Sequence, residues 1–160
     1  MCGRFAFFSP HEAVIQAFPV AINIFPKPRF NVAPGQNVLI IRCDENGNLI
    51  TDTCRWGLVP FWAKDPSIGN HMINARAETV AEKPAYRQSL SRRRCLILAD
   101  GFYEWQQSQQ GKRPYFISRP DSQPFGMAGL WDQWARSPDE LLRSCTVITV
   151  PASEFIQQLH

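Results

Sequence analysis

No apolar stretch in this chain approaches the roughly 20 residues that a helix needs to span a bilayer, so no membrane segment is predicted. The first residues, Met-Cys-Gly-Arg, lack the charged start and apolar core of a secretory signal. Glycine-rich phosphate loops of the G-x-G-x-x-G and P-loop types are missing, which argues against a nucleotide cofactor. Internal repeats and linkers are missing too. We therefore expect one domain over residues 1–160, acting in the cytoplasm as a monomer.

Patterns for metal binding and for disulfide bonding are also missing. The five cysteines are Cys2, Cys43, Cys54, Cys95 and Cys145. They are widely spaced with no C-x-x-C pair, so neither a zinc site nor a disulfide framework is predicted. The last four lie in or beside apolar segments and are expected to be buried thiols. The three histidines, His11, His71 and His160, form no cluster with metal-ligand spacing, and we expect neither metal nor cofactor.

The basic residues are mostly arginine. Of the 17 basic side chains 13 are Arg and only four are Lys, and the chain also carries five Trp. Arg binds phosphate with two hydrogen bonds and stacks on rings, and Trp adds stacking surface, a mixture that suits single-stranded nucleic acid. The net charge of only +3 makes the electrostatic signal a weak one. The hydrophobic fraction of 44% predicts a folded chain.

Turn residues and apolar alternation predict short strands rather than long helices. The sequence Ser9-Pro10-His11-Glu12 predicts a capping box that starts a helix, which stops before Pro19. Asn46-Gly47 predicts a hairpin, and Thr79-x-x-Glu82 predicts a second helix start. The predicted strands are Val38–Arg42, Leu49–Cys54, Met72–Ala75, Cys95–Ala99, Phe102–Gln106, Tyr115–Ser118, Phe125–Leu130 and Cys145–Val150, with a last short helix at Ser153–Leu159. The expected class is α+β, mainly antiparallel β and barrel-like, with a few short peripheral helices.

Cys2 stands directly behind Met1, and Cys is small enough for methionine removal to be expected. The processed chain then begins with a 1,2-aminothiol, which no internal cysteine offers. The α-amine has a reference pKa of about 7.7–8.0 and the thiol one of about 8.5, so both are usable nucleophiles near neutral pH. An aldehyde that meets this pair forms an imine and then a five-membered thiazolidine. Taken alone, however, a cysteine at position 2 is more often accidental.

Polar residues inside apolar stretches are the other candidates for chemistry. Glu104 lies in Gly-Phe-Tyr-Glu-Trp, where strand alternation favours a solvated carboxylate over a desolvated acid suited to proton transfer. Asn74 and Arg76 would share one face of an extended segment and hold a phosphate or a reacting oxygen, unless they belong to a surface loop. Arg4 would point the same way as Cys2 and bring a phosphate to it, unless it is a solvated surface residue.

Seven motifs in order resemble the SRAP (SOS response-associated peptidase) family of abasic-site processing proteins. They are Met1–Phe5, Asn31–Pro34, Arg55–Pro60 with Trp62, Ile73–Thr79, Ala99–Trp105, Ala128–Trp131 and Thr146–Thr149. This many motifs spanning nearly the whole chain make the resemblance highly specific. The family continues past His160 with an H-x-R-M-P-like segment, so we expect the C-terminal part of the family domain to be missing here.

The resemblance implies a covalent shield for abasic sites in single-stranded DNA, with a thiazolidine link through the N-terminal cysteine. It implies that His160 assists opening of the sugar ring and that Glu104 shuttles protons, while weak lyase activity is expected at most. The implied site consists of Cys2 as nucleophile, Asn74, Glu104 and His160 as supporting catalytic groups, Arg4 and Arg76 as phosphate ligands, and Asn31, Pro34 and Trp62 along the DNA path.

Three other classes of function stay open on the sequence. An N-terminal cysteine could serve an N-terminal-nucleophile peptidase, although neither an oxyanion hole nor a scissile amide is evident in the sequence. A non-catalytic binder of single-stranded DNA would use Arg and Trp alone. Thiol redox switching is the weakest alternative because no resolving cysteine lies nearby in the sequence.

Overall fold

The molecule consists of two β-sheets. A computed structural model describes residues 2–109, 111–137 and 139–157. The strands in these ranges are β1 (Phe5–Phe7), β2 (Arg29–Val32), β3 (Asn37–Cys43), β4 (Leu49–Trp56), β5 (Asn74–Arg76), β6 (Arg94–Ala99), β7 (Gly101–Ser108), β8 (Gly111–Ser118), β9 (Phe125–Ser137) and β10 (Glu140–Thr149). The helices are α1 (His11–Ala17), α2 (Arg87–Arg92) and α3 (Glu154–Gln157), with a 3-10 helix at Pro66–His71.

The larger sheet closes into a five-stranded barrel. Its strands follow the order β4-β3-β6-β9-β10, and a parallel pairing of β10 with β4 closes the ring at Ser144 and Arg55. Every other neighbour in the ring is antiparallel. Strand β5 pairs with β10 in parallel beyond the end of the pairing with β4, with Asn74 opposite Val147. The expected class, mainly antiparallel β with a barrel and short helices, is confirmed.

Apolar side chains of the central strands form the main core. Ile40, Ile97 and Leu98 are completely buried. Because Ile97 and Leu98 are neighbours on β6 and point to opposite faces, both faces of this strand are covered. Trp56 is 1% exposed, and its indole nitrogen donates to the carbonyl oxygen of Ile73 at 2.9 Å. A buried indole needs such a partner. This bond therefore ties the barrel to the segment that leads into β5.

The smaller sheet holds the N-terminus. Its order is β2-β1-β7-β8, so the three-residue strand β1 lies between two antiparallel neighbours. Phe5 lies opposite Phe102 on one side and Val32 on the other. The aromatic ring of Phe5, which is 1% exposed, packs 5.2 Å from that of Trp56. The chain that follows Cys2 is thereby held in the core.

Asp100, at the turn between β6 and β7, holds the chain segment that follows β1. Its buried carboxylate accepts hydrogen bonds from the backbone nitrogen of Ser9 at 2.8 Å and from the Ser9 hydroxyl. The predicted capping box is therefore wrong, because Ser9 bonds to Asp100 and the N-cap of α1 is Pro10, which makes no side-chain cap. The helix does end at Ala17, ahead of Pro19 as predicted.

The glycine in Arg-Trp-Gly-Leu-Val-Pro lets two loops approach each other. Gly57 has a φ of +128°, and a Cβ built there would collide with the carbonyl oxygen of Gly69 in the 3-10 helix. Its backbone nitrogen donates to the carbonyl oxygen of Cys145 at 2.8 Å. A side chain is excluded for reasons of both conformation and space. This contact fixes the loop that carries Phe61 and Trp62 against the barrel.

The eight predicted strands are present, and the hairpin at Asn46-Gly47 joins β3 to β4. Strand β9 runs seven residues past its predicted end at Leu130, and β10 starts five residues before its predicted start at Cys145. Strands β1 and β2 were not predicted. The predicted start of a second helix at Thr79 is wrong, because the chain forms turns from Thr79 and α2 begins only at Arg87. Pro84 explains the delay, since a proline disfavours helical geometry in the residue before it. The last two residues of the predicted final helix lie outside the described residues.

Three of the four internal cysteines are buried as expected, namely Cys54, Cys95 and Cys145. Cys43 is exposed instead, because it ends β3 beside the hairpin turn. Across the described ranges, no helix has both the length and the apolar character to cross a membrane. The same ranges hold no cluster of three His, Cys, Asp or Glu side chains arranged to bind a metal.

Candidate active site

Cys2 is held from two sides. The side-chain nitrogen of Asn74 donates to the carbonyl oxygen of Cys2 at 2.8 Å. Two residues on, the carbonyl oxygen of Arg4 accepts from the backbone nitrogen of Tyr103 at 2.9 Å. Strand β5 and strand β7 thus fix the short segment before β1. Placing the N-terminal residue in this way limits the directions in which its amine and thiol can point.

The thiol of Cys2 is half-buried against the main core. Burial raises its pKa to about 11 in the chain that carries Met1; a hydrogen bond from the backbone of Arg4 opposes the rise, the negative charge of Glu104 adds to it, and the positive charge of the N-terminus opposes it. The Sγ atom lies 3.7 Å from the carbonyl oxygen of Arg4. The reference value of about 8.5 used for the sequence therefore does not apply. At neutral pH the thiol is protonated, so an amine at this residue would react first.

Glu104 shares a cavity with Cys2. Only 7% of the surface of Glu104 is exposed, although its neighbours in the sequence are Tyr103 and Trp105. The alternation of β7 directs Phe102 and Glu104 into the cavity, whereas Trp105 is exposed. Of the two readings open on the sequence, the solvated carboxylate is wrong and the buried one is correct. A carboxylate that is shielded from water beside a nucleophile has the placement required of a proton-transfer group.

Asn74 presents both ends of its amide near Cys2. The nitrogen is engaged by the Cys2 carbonyl, while the Oδ1 atom is buried and makes no hydrogen bond within the described part of the chain. A buried acceptor without a partner is costly and rare. Because the same amide group already contacts Cys2, the Oδ1 atom of Asn74 is placed to accept a hydrogen bond from an amine or from a sugar hydroxyl.

The cavity beside Cys2 has a volume of about 920 Å³. Both sheets contribute to its walls. Strands β5, β9 and β10 of the larger sheet line it, and so does β7 of the smaller sheet. Its polar members are few and its walls are mostly apolar. The lining residues are Cys2, Arg76, Glu78, Thr79, Phe102, Glu104, Phe125, Met127, Ala128, residues 147–153 and Ile156.

The two arginines assigned to phosphate differ in placement. Arg76 lines the cavity, so its exposed side chain stands at the same site as Cys2. Arg4 does not line it; its guanidinium donates to the Oδ1 atom of Asn31 at 2.9 Å. Arg4 and Cys2 therefore do not share one site in the way that an extended terminus predicts. Arg4, directly before β1, instead pairs with Asn31 of β2 at the surface, in the segment that bears Cys2.

Trp62 belongs to a separate exposed pair of aromatic residues. Trp62 is 50% exposed and Phe61 is 49% exposed, directly after Pro60. Trp62 lines a second groove of about 450 Å³ together with Lys64 and His71. Exposed rings of this kind provide stacking surfaces for unpaired bases. Trp62 does not line the cavity of Cys2.

Two further assigned residues remain. Pro34 is half-buried in the turn ahead of Gly35, between β2 and β3, and lines neither cavity nor groove. His160 lies outside the described residues, so its role stays a prediction. Sequence reasoning missed Phe102 and Phe61. Phe102 could have been found from its spacing of two from Glu104, and Phe61 from its position beside Trp62.

Comparison with known proteins places these features in a family. The sequence model of the SOS response associated peptidase (SRAP) family matches residues 1–160. Abasic site processing protein YoaM of Bacillus subtilis is 44% identical to the chain, which is covered completely and spans 72% of that relative. Abasic site processing protein YedK of Escherichia coli is 32% identical, again over the complete chain and 72% of the relative.

A solved structure supports the fold independently. The crystal structure of a protein from Bacteroides thetaiotaomicron superposes with a TM-score of 0.88 at 23% identity, over 99% of this chain and 72% of the other. At that identity the likeness concerns the fold alone. The family match over the whole chain and the identity to YoaM decide membership. The chain belongs to the SOS response-associated peptidase (SRAP) family.

Proposed function

We propose that this protein senses abasic sites in single-stranded DNA and shields them by a covalent link. The link is a thiazolidine made from the α-amine and the thiol of Cys2 after Met1 is removed. The names of the relatives, abasic site processing proteins, support DNA with abasic sites as the partner. One observation carries the covalent step: Cys2 is clamped by Asn74 at the edge of a cavity that it shares with buried Glu104.

The amine acts first. Its reference pKa of about 7.7–8.0 leaves roughly a tenth of it neutral at pH 7, whereas burial raises the pKa of the Cys2 thiol above its ordinary value and favours the protonated thiol there. The amine attacks the aldehyde carbon of the opened sugar and gives a carbinolamine. Loss of water from the carbinolamine then needs an acid near the leaving oxygen. Glu104 is the buried group in place to supply and recover that proton.

Ring closure follows when the sulfur attacks the imine carbon. Over the whole reaction the carbonyl oxygen leaves as water, the amine and the thiol give up one hydrogen each, and the ring nitrogen carries the one hydrogen that remains. No oxidant or reductant is needed. Since the thiol of Cys2 is protonated at rest, its proton must be taken up during closure, and Glu104 lies in the same cavity to receive it. The negative charge of Glu104 also disfavours early formation of the thiolate.

The DNA strand is held by groups around this centre. Arg76 in the cavity and Arg4 beside it would contact phosphates flanking the lesion, with Asn31 orienting Arg4. Trp62 and Pro34 would line the path of the strand, and Trp62 would stack on an unpaired base. Such contacts are independent of base sequence and sensitive to salt. His160 would assist opening of the closed sugar.

A denaturing gel tests the covalent link directly. Protein whose Met1 removal is verified by intact mass is mixed with a single-stranded oligonucleotide that contains one abasic site. A heat-stable shifted band is expected, with a mass equal to the sum of protein and oligonucleotide less one water. The matched controls are Cys2→Ser and an oligonucleotide without the lesion. A band that persists with Cys2→Ala, or association that disappears on denaturation, would refute the thiazolidine.

A further inference from the structure

The cavity beside Cys2 is larger than one sugar ring requires. Its volume of about 920 Å³ falls in the range of about 300–1,000 Å³ that is typical of sites for whole small molecules. Such sites combine mainly apolar walls with a few polar groups that fix orientation. Here the polar groups include Cys2, Glu104 and Arg76, and the cavity extends past them. The DNA reaction proposed above accounts only for this polar part.

Most of the remaining wall is apolar and comes from three parts of the chain, although Glu78, Thr79, Thr149 and Ser153 also line the cavity. Phe125, Met127 and Ala128 belong to β9, Val147 and Ile148 to the end of β10, Val150 and Pro151 follow β10, and Ile156 lies on α3. Phe125 and Met127 pack against the same buried core cluster as Cys2 does. An apolar surface therefore begins beside the reactive residue. The side chains of this surface have no hydrogen-bonding group for a phosphate or a sugar.

We propose that the same aminothiol also captures free aldehydes that carry an apolar body, such as medium-chain alkanals. This inference rests on the proposed function, since it uses the amine and thiol of processed Cys2. The aldehyde carbon would react at Cys2 while the alkyl chain lies along Phe125, Met127 and Ile156. The amine and the sulfur each bond to the carbonyl carbon, and its oxygen leaves as water. The protein would then act as a trap for lipophilic aldehydes as well as for DNA lesions.

The chain length of the aldehyde is the quantity to vary. Burial of one methylene changes affinity by about fourfold, so hexanal should gain over propanal through its three additional methylenes. A short peptide, Cys-Gly-Arg-Phe, has the same aminothiol and no cavity. The ratio of the hexanal rate to the propanal rate should be at least tenfold higher for Met1-processed protein than for this peptide. Intact mass follows each adduct, which weighs one aldehyde less one water.

Two variants on β9 test whether the cavity is responsible. Ala128 lines the cavity and is exposed, so Ala128→Phe fills apolar space without disturbing the buried core. Ala135 is exposed on the same strand and lines no part of it, which makes Ala135→Phe the matched control. Ala128→Phe should lower the hexanal rate at least fivefold and leave the propanal rate within twofold. Ala135→Phe should change neither, and thermal melts verify that both variants fold.

A protein that shows the same rate ratio as the peptide would overturn the inference, whatever the variants do. An abasic oligonucleotide run in parallel separates the two proposals. If the oligonucleotide becomes linked to Cys2 while hexanal gains nothing over propanal, the aldehyde trap is excluded and the DNA function stands. If neither aldehydes nor oligonucleotide form an adduct at Cys2, both proposals fail together.

Discussion

The side-chain nitrogen of Asn74 lies 2.8 Å from the carbonyl oxygen of Cys2 and donates to it, across 72 positions of the chain. This bond joins the end of one sheet to the terminus of the other, since Asn74 begins β5 and Cys2 precedes β1. The residue that becomes the first of the processed chain is thus located by a side chain of the barrel. Its reactivity should depend on that bond.

Asn74→Ala should slow covalent linkage to abasic DNA at least tenfold, because Cys2 loses the bond that orients its amine. The lost hydrogen bond should lower the free energy of unfolding by only about 1 kcal/mol. Single-turnover linkage rates and thermal melts measure the two effects. Asn37→Ala, at an exposed residue of β3, is the matched control and should alter neither. An Asn74→Ala protein that links at the normal rate would show that the clamp is only structural.

Glu104→Gln should reduce the linkage rate by about 10²-fold or more, which is the usual contribution of a positioned proton-transfer group. The amide keeps the shape of the side chain, so noncovalent DNA affinity should stay within about twofold of its normal value. Linkage is timed at saturating DNA, and affinity is measured by fluorescence anisotropy with Cys2→Ser in both backgrounds. Glu140→Gln, at an exposed residue of β10, serves as the control. Equal loss of affinity and rate would assign Glu104 to DNA binding instead.

The thiol of Cys2 should be modified slowly and with an unusual pH dependence. Its pKa is raised to about 11 by burial, so the rate of alkylation by iodoacetamide should climb tenfold per pH unit until about pH 11. In the peptide Cys-Gly-Arg-Phe the rate should level off near pH 9. The exposed Cys43 is replaced by Ser, and mass spectrometry identifies the modified residue. A plateau near pH 9 in the folded protein would contradict the raised pKa.

The same raised pKa affects stability. The unfolded chain releases the Cys2 proton near pH 9, whereas the folded chain keeps it until about pH 11. Between these values the unfolded state binds fewer protons, so this residue makes stability fall as pH rises through that window. Below about pH 9 both states are protonated and the contribution is constant.

Trp62→Ala should weaken binding to single-stranded DNA about 5- to 150-fold, as expected for the loss of one stacked base at about 1–3 kcal/mol. The linkage rate at saturating DNA should stay within about twofold, because Trp62 does not line the cavity of Cys2. Leu141→Ala, which removes another exposed apolar side chain, should leave affinity unchanged. If Trp62→Ala slows the saturated rate as much as it weakens binding, the ring contributes to the reaction itself.

Cys2→Ser should increase strand cleavage at the abasic site. The terminal amine of this variant can still form the imine once Met1 is removed, but the hydroxyl closes the ring poorly, so more of the imine loses its 3′ phosphate by β-elimination. Cleavage is followed on a denaturing gel with a 5′-labelled oligonucleotide, and borohydride traps the imine. A Cys2→Ser protein that cleaves no more than the parent protein would show that ring closure does not suppress the lyase path.

The strands of the barrel were predictable because they are short runs of apolar residues bounded by turn residues such as Asn-Gly or proline. The orientation of Glu104 was not, since alternation defines two faces of β7 without saying which one is covered. To predict that α2 starts only at Arg87, the effect of Pro84 has to be weighed against the favourable capping pattern that begins at Thr79. The partners of Asp100 lie 91 and 92 positions away, beyond the reach of any local pattern.

The site was predictable from motifs more than from chemistry. Cys2, Glu104 and Arg76 come together around one cavity as the family resemblance implies. The pairing of Arg4 with Asn31 was not foreseen, because the direction of a side chain near a terminus depends on neighbouring strands. The raised pKa of Cys2 likewise arises from tertiary burial, which local sequence does not define.

Because β1 lies between β2 and β7, its sheet cannot form until late in the synthesis of the chain. Strand β1 needs β7 as a neighbour, and β7 begins only at Gly101. During synthesis at about 5–20 residues per second, roughly 5–20 s pass before that neighbour is made. For this interval the nascent terminus has no complete sheet to enter. If the proposed reaction holds, a chain that keeps Met1 has no free α-amine at Cys2 and should form no covalent link to abasic DNA.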